Sequence, residues 1–293
     1  MGQPASLKES PHSGAGSPLS MARWGRCGGF VRARFRWFVG SWQGACIMEK
    51  DTVGGVGRAM LDRRLGELLA SQGVACTEGQ RTLLLDHLDL VLEKNKVMNL
   101  TRITSPEDAL VLHILDSLLL EEEVAKTDGP VLDIGTGAGY PGIPLAVMED
   151  RPFVLMDSVG KKARAVAEFT DAMGLGAVGT TRERAESYAV DHRGEFGAVV
   201  ARAVAPLGVL VEYAQPLLSK GGRLVVSKGR LSDEELGSGQ KTAEKVGMRL
   251  VSRETLSLPE GMGHREIVVY EKDGRSSIKL PRPVGEAKNK PLA

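Results

Sequence analysis

The sequence predicts an α/β fold: a doubly wound, mainly parallel sheet with helices on both faces and an antiparallel hairpin at one edge, preceded by a small helical region. Three observations carry this. From Pro130 onward, short apolar runs alternate with helical patterns. The first run, Val131–Ile134, passes directly into a loop with Gly135, Gly137 and Gly139 at every second position. The last two runs are joined by a Gly- and Pro-containing loop, 258–264, with no helical pattern between them, which marks a hairpin rather than a crossover.

In chain order, residues 1–47 stand apart. They are rich in Gly, Ser and Arg and hold all three tryptophans, Trp24, Trp37 and Trp42. Three readings compete: an arginine- and aromatic-rich RNA-binding arm, an organellar targeting peptide, and translated upstream sequence with the natural start at Met48 or Met60. The third is preferred, because patterned sequence begins only near Met60, and the segment is expected to be disordered. Helical spacing then runs from about Ala59 to Glu123. Leu61, Leu65, Leu68 and Leu69 form one stripe; Leu83, Leu84, Leu88, Val91 and Leu92 a second; Leu110, Val111, Ile114, Leu115, Leu118 and Leu119 a third. Ser105-Pro106-Glu107-Asp108 is a helix start, with Ser as N-cap, Pro in the first turn and acids at the positive end. Beyond Pro130 the candidate strands are 131–134, 153–157, 177–181, 198–201, 223–227, 249–255 and 266–270. Helical patterns cover 161–172, 207–218 and 233–246.

Bulk properties narrow the function classes. With 293 residues, 42% of them hydrophobic, the chain can bury one large core or one core plus a small helical domain. The net charge of +1 gives no global nucleic-acid signal. Residues 1–47 carry six basic side chains against Glu9, a net +5, so the remainder is about −4 and any RNA surface there must be local. Cys27, Cys46 and Cys76 form no CxxC pair, which argues against a disulfide framework or zinc site and for a reducing cytosol. No metal site is expected. No apolar run approaches the roughly 20 residues of a membrane helix.

The glycine loop implies a nucleotide-like cofactor, because glycines let bare main chain approach a ligand. A tight strand–helix turn without a ligand is the alternative. The loop reads D-x-G-x-G-x-G (Asp133, Gly135, Gly137, Gly139), whereas the dinucleotide fingerprint is G-x-G-x-x-G. The spacing is wrong for a pyrophosphate, and an acid stands in front. S-adenosylmethionine has no phosphates; it needs a carboxylate near its ammonium and close backbone, which Asp133 and the loop, Gly137 included, supply. Asp157, ending the second strand, suits the two ribose hydroxyls, though an NAD enzyme places an acid similarly. Arg202 ends an apolar strand and needs a partner or a function.

A doubly wound sheet with such a hairpin resembles the class I S-adenosylmethionine-dependent methyltransferase fold. Several islands carry a closer likeness: Asn95-Lys96-Val97-Met98-Asn99-Leu100-Thr101, His113-Ile114-Leu115-Asp116-Ser117, the loop Gly135-Thr136-Gly137-Ala138-Gly139-Tyr140-Pro141-Gly142-Ile143-Pro144, Asp157-Ser158-Val159-Gly160-Lys161-Lys162, Ala201-Arg202-Ala203, Ser227-Lys228-Gly229, and Pro281-Arg282-Pro283-Val284-Gly285 with Lys288-Asn289-Lys290-Pro291-Leu292. From about Met60 to Leu292, in order and at compatible spacing, these resemble the bacterial small-subunit ribosomal RNA guanine-N7 methyltransferases, also called glucose-inhibited division protein B. Two departures stand out: Lys94 where the family usually has Trp, and Leu280 where it usually has an aromatic residue. Both weaken the expected RNA stacking.

The resemblance implies methyl transfer from S-adenosylmethionine to N7 of a guanine in 16S ribosomal RNA. The expected partner is that RNA or the small ribosomal subunit; the protein is expected to be a cytoplasmic monomer. Carried over by motif, Gly135 and Tyr140 contact the cofactor, Ala185 and Glu186 flank the adenine, and Arg202 sits where cofactor meets substrate. Glu186 also reads as a solvated acid at a helix start. The expected division is an extension over 1–58, a helical lid over 59–128, a methyltransferase domain over 129–274 and a basic tail over 275–293. Guanine N7 already carries a lone pair, so no general base is required, and Arg202 is assigned to substrate positioning. His113 and Asp116 either organise the site or form a buried polar network docking the lid. RNA-binding candidates are Lys161, Lys162 and Arg164, Lys228 and Arg230, and in the tail Lys279, Arg282, Lys288 and Lys290; charge runs are otherwise solvated faces. A methyltransferase for another RNA or a small molecule, and a non-catalytic nucleotide-binding redox regulator, are the alternatives.

Overall fold

The computed structural model describes the backbone of Thr52–Val53 and residues 55–293 in full. The expectations for residues 1–47 lie outside the described residues.

A small hairpin of β1 (Thr52–Val53) and β2 (Val56–Gly57) leads into α1 (Arg58–Ser71). α2 (Glu78–Asn95) starts at a capping box: Thr77 Oγ1 accepts from the Gln80 N–H, and Gln80 Oε1 accepts from the Thr77 N–H. Leu61, Leu65 and Leu69 share one apolar cluster with Leu84, Leu85, Leu88 and Leu92. The buried stripe of α2 is therefore displaced from the expected one; Leu85 is inside and Leu83 only partly buried. The Ser105 start is present, its Oγ accepting from the Asp108 N–H at 3.2 Å. The helix it opens is not a plain α-helix. α3 (Pro106–Ala109) runs into a π-helical turn, Leu110–Leu115, and then α4 (Asp116–Leu118). Such wide turns concentrate at functional sites, and this one carries His113. α5 (Glu121–Ala125) completes the helical region.

Alternation then holds: β3 (Val131–Ile134), α6 (Gly142–Met148), β4 (Phe153–Met156), α7 (Gly160–Ala172), β5 (Val178–Thr181), α8 (Ala185–Asp191), β6 (Phe196–Arg202), α9 (Leu207–Leu217), β7 (Leu218–Lys228), α10 (Asp233–Val246), β8 (Met248–Ser257), β9 (His264–Lys272) and α11 (Glu286–Asn289). The sheet order is β5-β4-β3-β6-β7-β9-β8, with β9 antiparallel to both neighbours and the first five strands parallel. This is the class I methyltransferase fold, with the hairpin at the predicted edge and its second strand inserted inward. β9 outruns its predicted apolar core at Glu271, which pairs across strands with Arg223 at 3.3 Å, and β7 begins before its predicted start, at Leu218, which pairs with Phe196 of β6.

Strand alternation sorts the core into two layers. Leu132, Ile134, Val199 and Ala201 pack toward α8, α9 and α10. Val131, Ala198 and Val200 pack toward α2, α6 and α7. The segment expected as a basic tail lies along the first layer, with Leu280 and Ala287 buried in it. Among the described residues no helix is long and apolar enough to cross a membrane.

Candidate functional site

A cleft of about 260 Å³ opens at the carboxyl ends of β3, β4, β5 and β6. It lies over the point between β3 and β6 where the strand order reverses, the usual place for a ligand in such sheets. Of the eight residues expected at a cofactor, Gly135, Gly137, Asp157, Ala185, Glu186 and Arg202 line it; Asp133 and Tyr140 do not.

Gly135 has φ 79°, and a Cβ there would lie 2.5 Å from Val204 Cγ2. Only glycine satisfies both the angle and the approach. The opposing loop is itself held in an unusual conformation, with Ala203 at φ 53°. Asp157 ties the glycine loop to the next helix: Oδ2 accepts from the Gly137 N–H at 3.1 Å and Oδ1 from the Val159 N–H at 2.8 Å. A carboxylate has about four acceptor positions, so two remain for a ligand diol. Glu186 is not the solvated acid of the alternative reading. It is buried, and Oε1 accepts from the Gly285 N–H at 2.9 Å, clasping the C-terminal segment to the cleft. Burial, with Glu186 alongside, pushes the Tyr213 hydroxyl well above its ordinary range.

Asp133 corrects the expectation of an ammonium contact. Its side chain is fully buried, and Oδ2 accepts from the Gly142 N–H at 2.9 Å. Strand parity is the reason: Asp133 shares a face with Val131, under α6, away from the cleft. Burial pushes its carboxyl up to about 7, against the pull of that N–H. Tyr140 also sits behind the wall. Its ring stacks on His113 at 4.4 Å with planes 12° apart, lies 4.4 Å from His87, and has the Arg202 guanidinium over it at 5.5 Å. Tyr140 therefore joins the glycine loop to α2 and the π turn.

Arg202 has both a partner and a place in the cleft. It donates to Asp116 Oδ2 at 3.1 Å and to the Leu112 carbonyl at 3.0 Å, and one amino group lies 3.4 Å from His113 Nδ1. Asp116 Oδ1 accepts from Ser227 Oγ at 3.1 Å and from Arg265 Nε at 2.9 Å. One buried carboxylate thus binds the ends of β6 and β7 and the start of β9 to the helical region. His113 Nε2 meets Thr101 Oγ1 at 2.9 Å, and burial with the Arg202 charge lowers its pKa to about 3, so the ring is neutral. The docking-network reading of His113 and Asp116 describes this geometry.

The basic candidates divide. Arg282 is committed inward: Nε and Nη2 grip Glu212 at 2.8 and 2.6 Å. Lys228 is likewise spent on Glu235 at 2.6 Å and the Ala205 carbonyl at 2.7 Å. The expectation that these two residues contact RNA is corrected, because both are partly buried and already paired with a carboxylate. Lys161, Arg164, Arg230 and Lys290 are exposed. Lys162 and Lys288 line the cleft itself. Of the two departures from the family pattern, Lys94 pairs with Glu168 at 2.5 Å and Leu280 is core.

Sequence reasoning missed His87 and Arg265. His87 is fully buried, its Nε2 meeting the Ala138 carbonyl at 2.9 Å, and burial lowers its pKa to about 4. A histidine beside the leucine stripe of α2 was the available signal. Nothing local marked Arg265, whose partner is 149 residues away.

A family model described as rRNA small subunit methyltransferase G, GidB, matches residues 80–267. The chain is similar to the ribosomal RNA small subunit methyltransferase G of Alkaliphilus metalliredigens, 36% identical over 224 residues, covering 75% of this chain and 94% of the relative. The protein of the same name from Pelotomaculum thermopropionicum is 37% identical over 240 residues, 80% of this chain and all of the relative. That from Deinococcus radiodurans is 37% identical over 249 residues, 84% and 96%.

Proposed function

The chain belongs to the GidB family of small-subunit ribosomal RNA methyltransferases, and on that premise we propose that it transfers the methyl group of S-adenosylmethionine to N7 of a guanine in 16S ribosomal RNA, in the cytoplasm and as a monomer. The observation that carries the reading is the cleft at the strand switch point, walled by Gly135, Asp157, Glu186 and Arg202 and bordered by Lys162 and Lys288.

The residues present fit the cofactor. A positive-φ glycine leaves bare backbone at Gly135, and the Asp157 carboxylate keeps acceptor capacity for a diol. Ala185 and Glu186 supply a small and an acceptor side chain for the adenine end. The glycine spacing is not that of a dinucleotide loop, which favours this cofactor over a nicotinamide one. Bound, S-adenosylmethionine supplies an electrophilic methyl group on a sulfonium. Guanine N7 offers a lone pair on its major-groove edge and loses no proton, so the protein's task is alignment. Asp133 and Asp157 serve that task by fixing the glycine loop. Arg202, held by Asp116, gives the substrate side of the cleft a fixed guanidinium that positions the nucleotide. Lys161, Lys162, Arg164, Arg230, Lys288 and Lys290 are proposed to meet phosphates around a guanine turned out of the RNA stack.

The test is a map of N7-methylguanine in ribosomal RNA from cells with and without the protein. One 16S position losing its methyl group is the expected result; an unchanged map rejects the assignment. Binding of S-adenosylhomocysteine against NADH separates methyl transfer from a redox role.

A further inference from the structure

The end of the sheet opposite the cleft carries a second basic site. β6 and β7 begin there and the antiparallel β9 ends there, so it lies one strand length, about 20 Å for seven-residue β6, from the cofactor cleft. A cavity of about 510 Å³ at this end is lined by Arg193, Lys272, Arg275 and Lys279 and by no acidic side chain. None of these four makes an ion pair within the described residues. The neighbouring acids are engaged elsewhere: Glu195 with His192 at 2.8 Å, Glu271 with Arg223 and Arg249 at 3.3 and 2.7 Å, and Asp273 with Arg249 at 3.8 Å.

The site is built rather than incidental. Lys272, partly buried, donates to the Gln215 and Leu218 carbonyls at 2.7 and 2.6 Å, which fixes its ammonium at the cavity floor with one N–H to spare. Arg193 is anchored on the Leu280 carbonyl. Burial and the Arg193 charge together lower the Lys272 pKa. Two fixed cations near each other, satisfied by neutral carbonyls and without a counter-charge, are costly unless an anion joins them. Arg275 and Lys279 are exposed on the rim and free to close on that anion.

We propose that this cavity binds a phosphate of the RNA backbone, so that the substrate is held at two places, its target nucleotide at the cleft and a remote phosphate at the base of the sheet. The inference rests on the rRNA reading above. The segment 275–293 runs between the two places, from Arg275 at the base to Gly285 clasped by Glu186 and Lys288 in the cleft wall.

The test uses the full chain and a 16S rRNA transcript. Arg275→Ala/Lys279→Ala should weaken RNA binding about tenfold near 100 mM salt and lower the salt slope by about 0.7, the value for one phosphate contact to single-stranded RNA. Affinity for S-adenosylhomocysteine should not change, and Arg275→Lys/Lys279→Arg should bind RNA as the unaltered chain does. If the unaltered chain binds the transcript and the double alanine variant binds it with the same affinity and slope, this inference is overturned and the methyltransferase reading stands. If the unaltered chain binds neither the transcript nor isolated small ribosomal subunits, both fall.

Discussion

Asp116 and Arg202 meet at 3.1 Å, joining the helix after the π turn to the lip of the cofactor cleft. Asp116 is buried and Arg202 partly buried, and Asp116 also holds Ser227 and Arg265. The pair is therefore a structural joint and a means of fixing a charge beside the substrate. Asp116→Asn leaves the Arg202 guanidinium without its counter-charge. The expected cost is about 3 kcal/mol of stability, read from denaturant midpoints, as for other broken buried pairs. Methylation should fall at least tenfold in kcat/KM while S-adenosylhomocysteine affinity stays nearly constant. Equal loss of cofactor affinity and turnover would place Asp116 on the cofactor side instead.

Gly135 makes a sharper demand. An alanine there meets Val204 at 2.5 Å and must adopt φ 79°. Val204 lies in the cleft wall beside Arg202, so Gly135→Ala should lower cofactor affinity at least tenfold, measured by calorimetry. Adding Val204→Ala removes the clash but not the backbone strain, worth about 1–2 kcal/mol. The double variant should therefore recover only part of the loss; full recovery would mean the angle is relaxed at no cost.

The sheet was legible because its strands are short apolar runs bounded by turns, and several residues that line the cleft stand at or just after the end of one. Gly135, Asp157 and Arg202 could be found by that rule; Ala185 and Glu186 came from the family resemblance. Asp133 was misread because β3 is buried on both faces, so nothing in Val-Leu-Asp-Ile says which face the carboxylate takes. The inward position of β9 was hidden by the polar ends of both hairpin strands. Arg282 looked free because its partner is remote: Glu212 lies 70 residues away, inside the otherwise uncharged α9. That lone acid in an apolar helix was the unread signal that a cation must come to it.

Arg282 is thus predicted to be structural. Arg282→Ala strands Glu212, which is 3% exposed, and should cost about 3–5 kcal/mol in denaturant unfolding. The salt dependence of RNA binding, measured on whatever fraction folds, should be that of the unaltered chain. In contrast, Lys161→Ala should leave stability unchanged and reduce the salt slope by about 0.7. A reversed pattern between the two variants would restore Arg282 as an RNA contact.

Acid stability depends on three buried groups of opposite sign. His87 and His113 have folded pKa values of about 4 and about 3, below the ordinary 6.5, so below pH 6.5 the unfolded chain takes up two protons that the folded chain refuses. Their contribution is complete above 6.5 and lost as pH falls. Asp133 works the other way. Its folded value of about 7 lies above the ordinary 3.8, so between those limits the folded chain keeps a proton that the unfolded chain releases. From pH 6.5 down to about 4 the balance is one proton in favour of unfolding, a loss of about 1.4 kcal/mol per pH unit from these groups. Asp133→Asn keeps an acceptor for the Gly142 N–H but removes the opposing proton. Its stability should therefore fall about twice as steeply, near 2.7 kcal/mol per unit. Urea midpoints at several values between pH 6.5 and 4.5 give both slopes. Equal slopes for the two proteins would mean that Asp133 is ionised in the folded chain, and that the Gly142 N–H outweighs its burial.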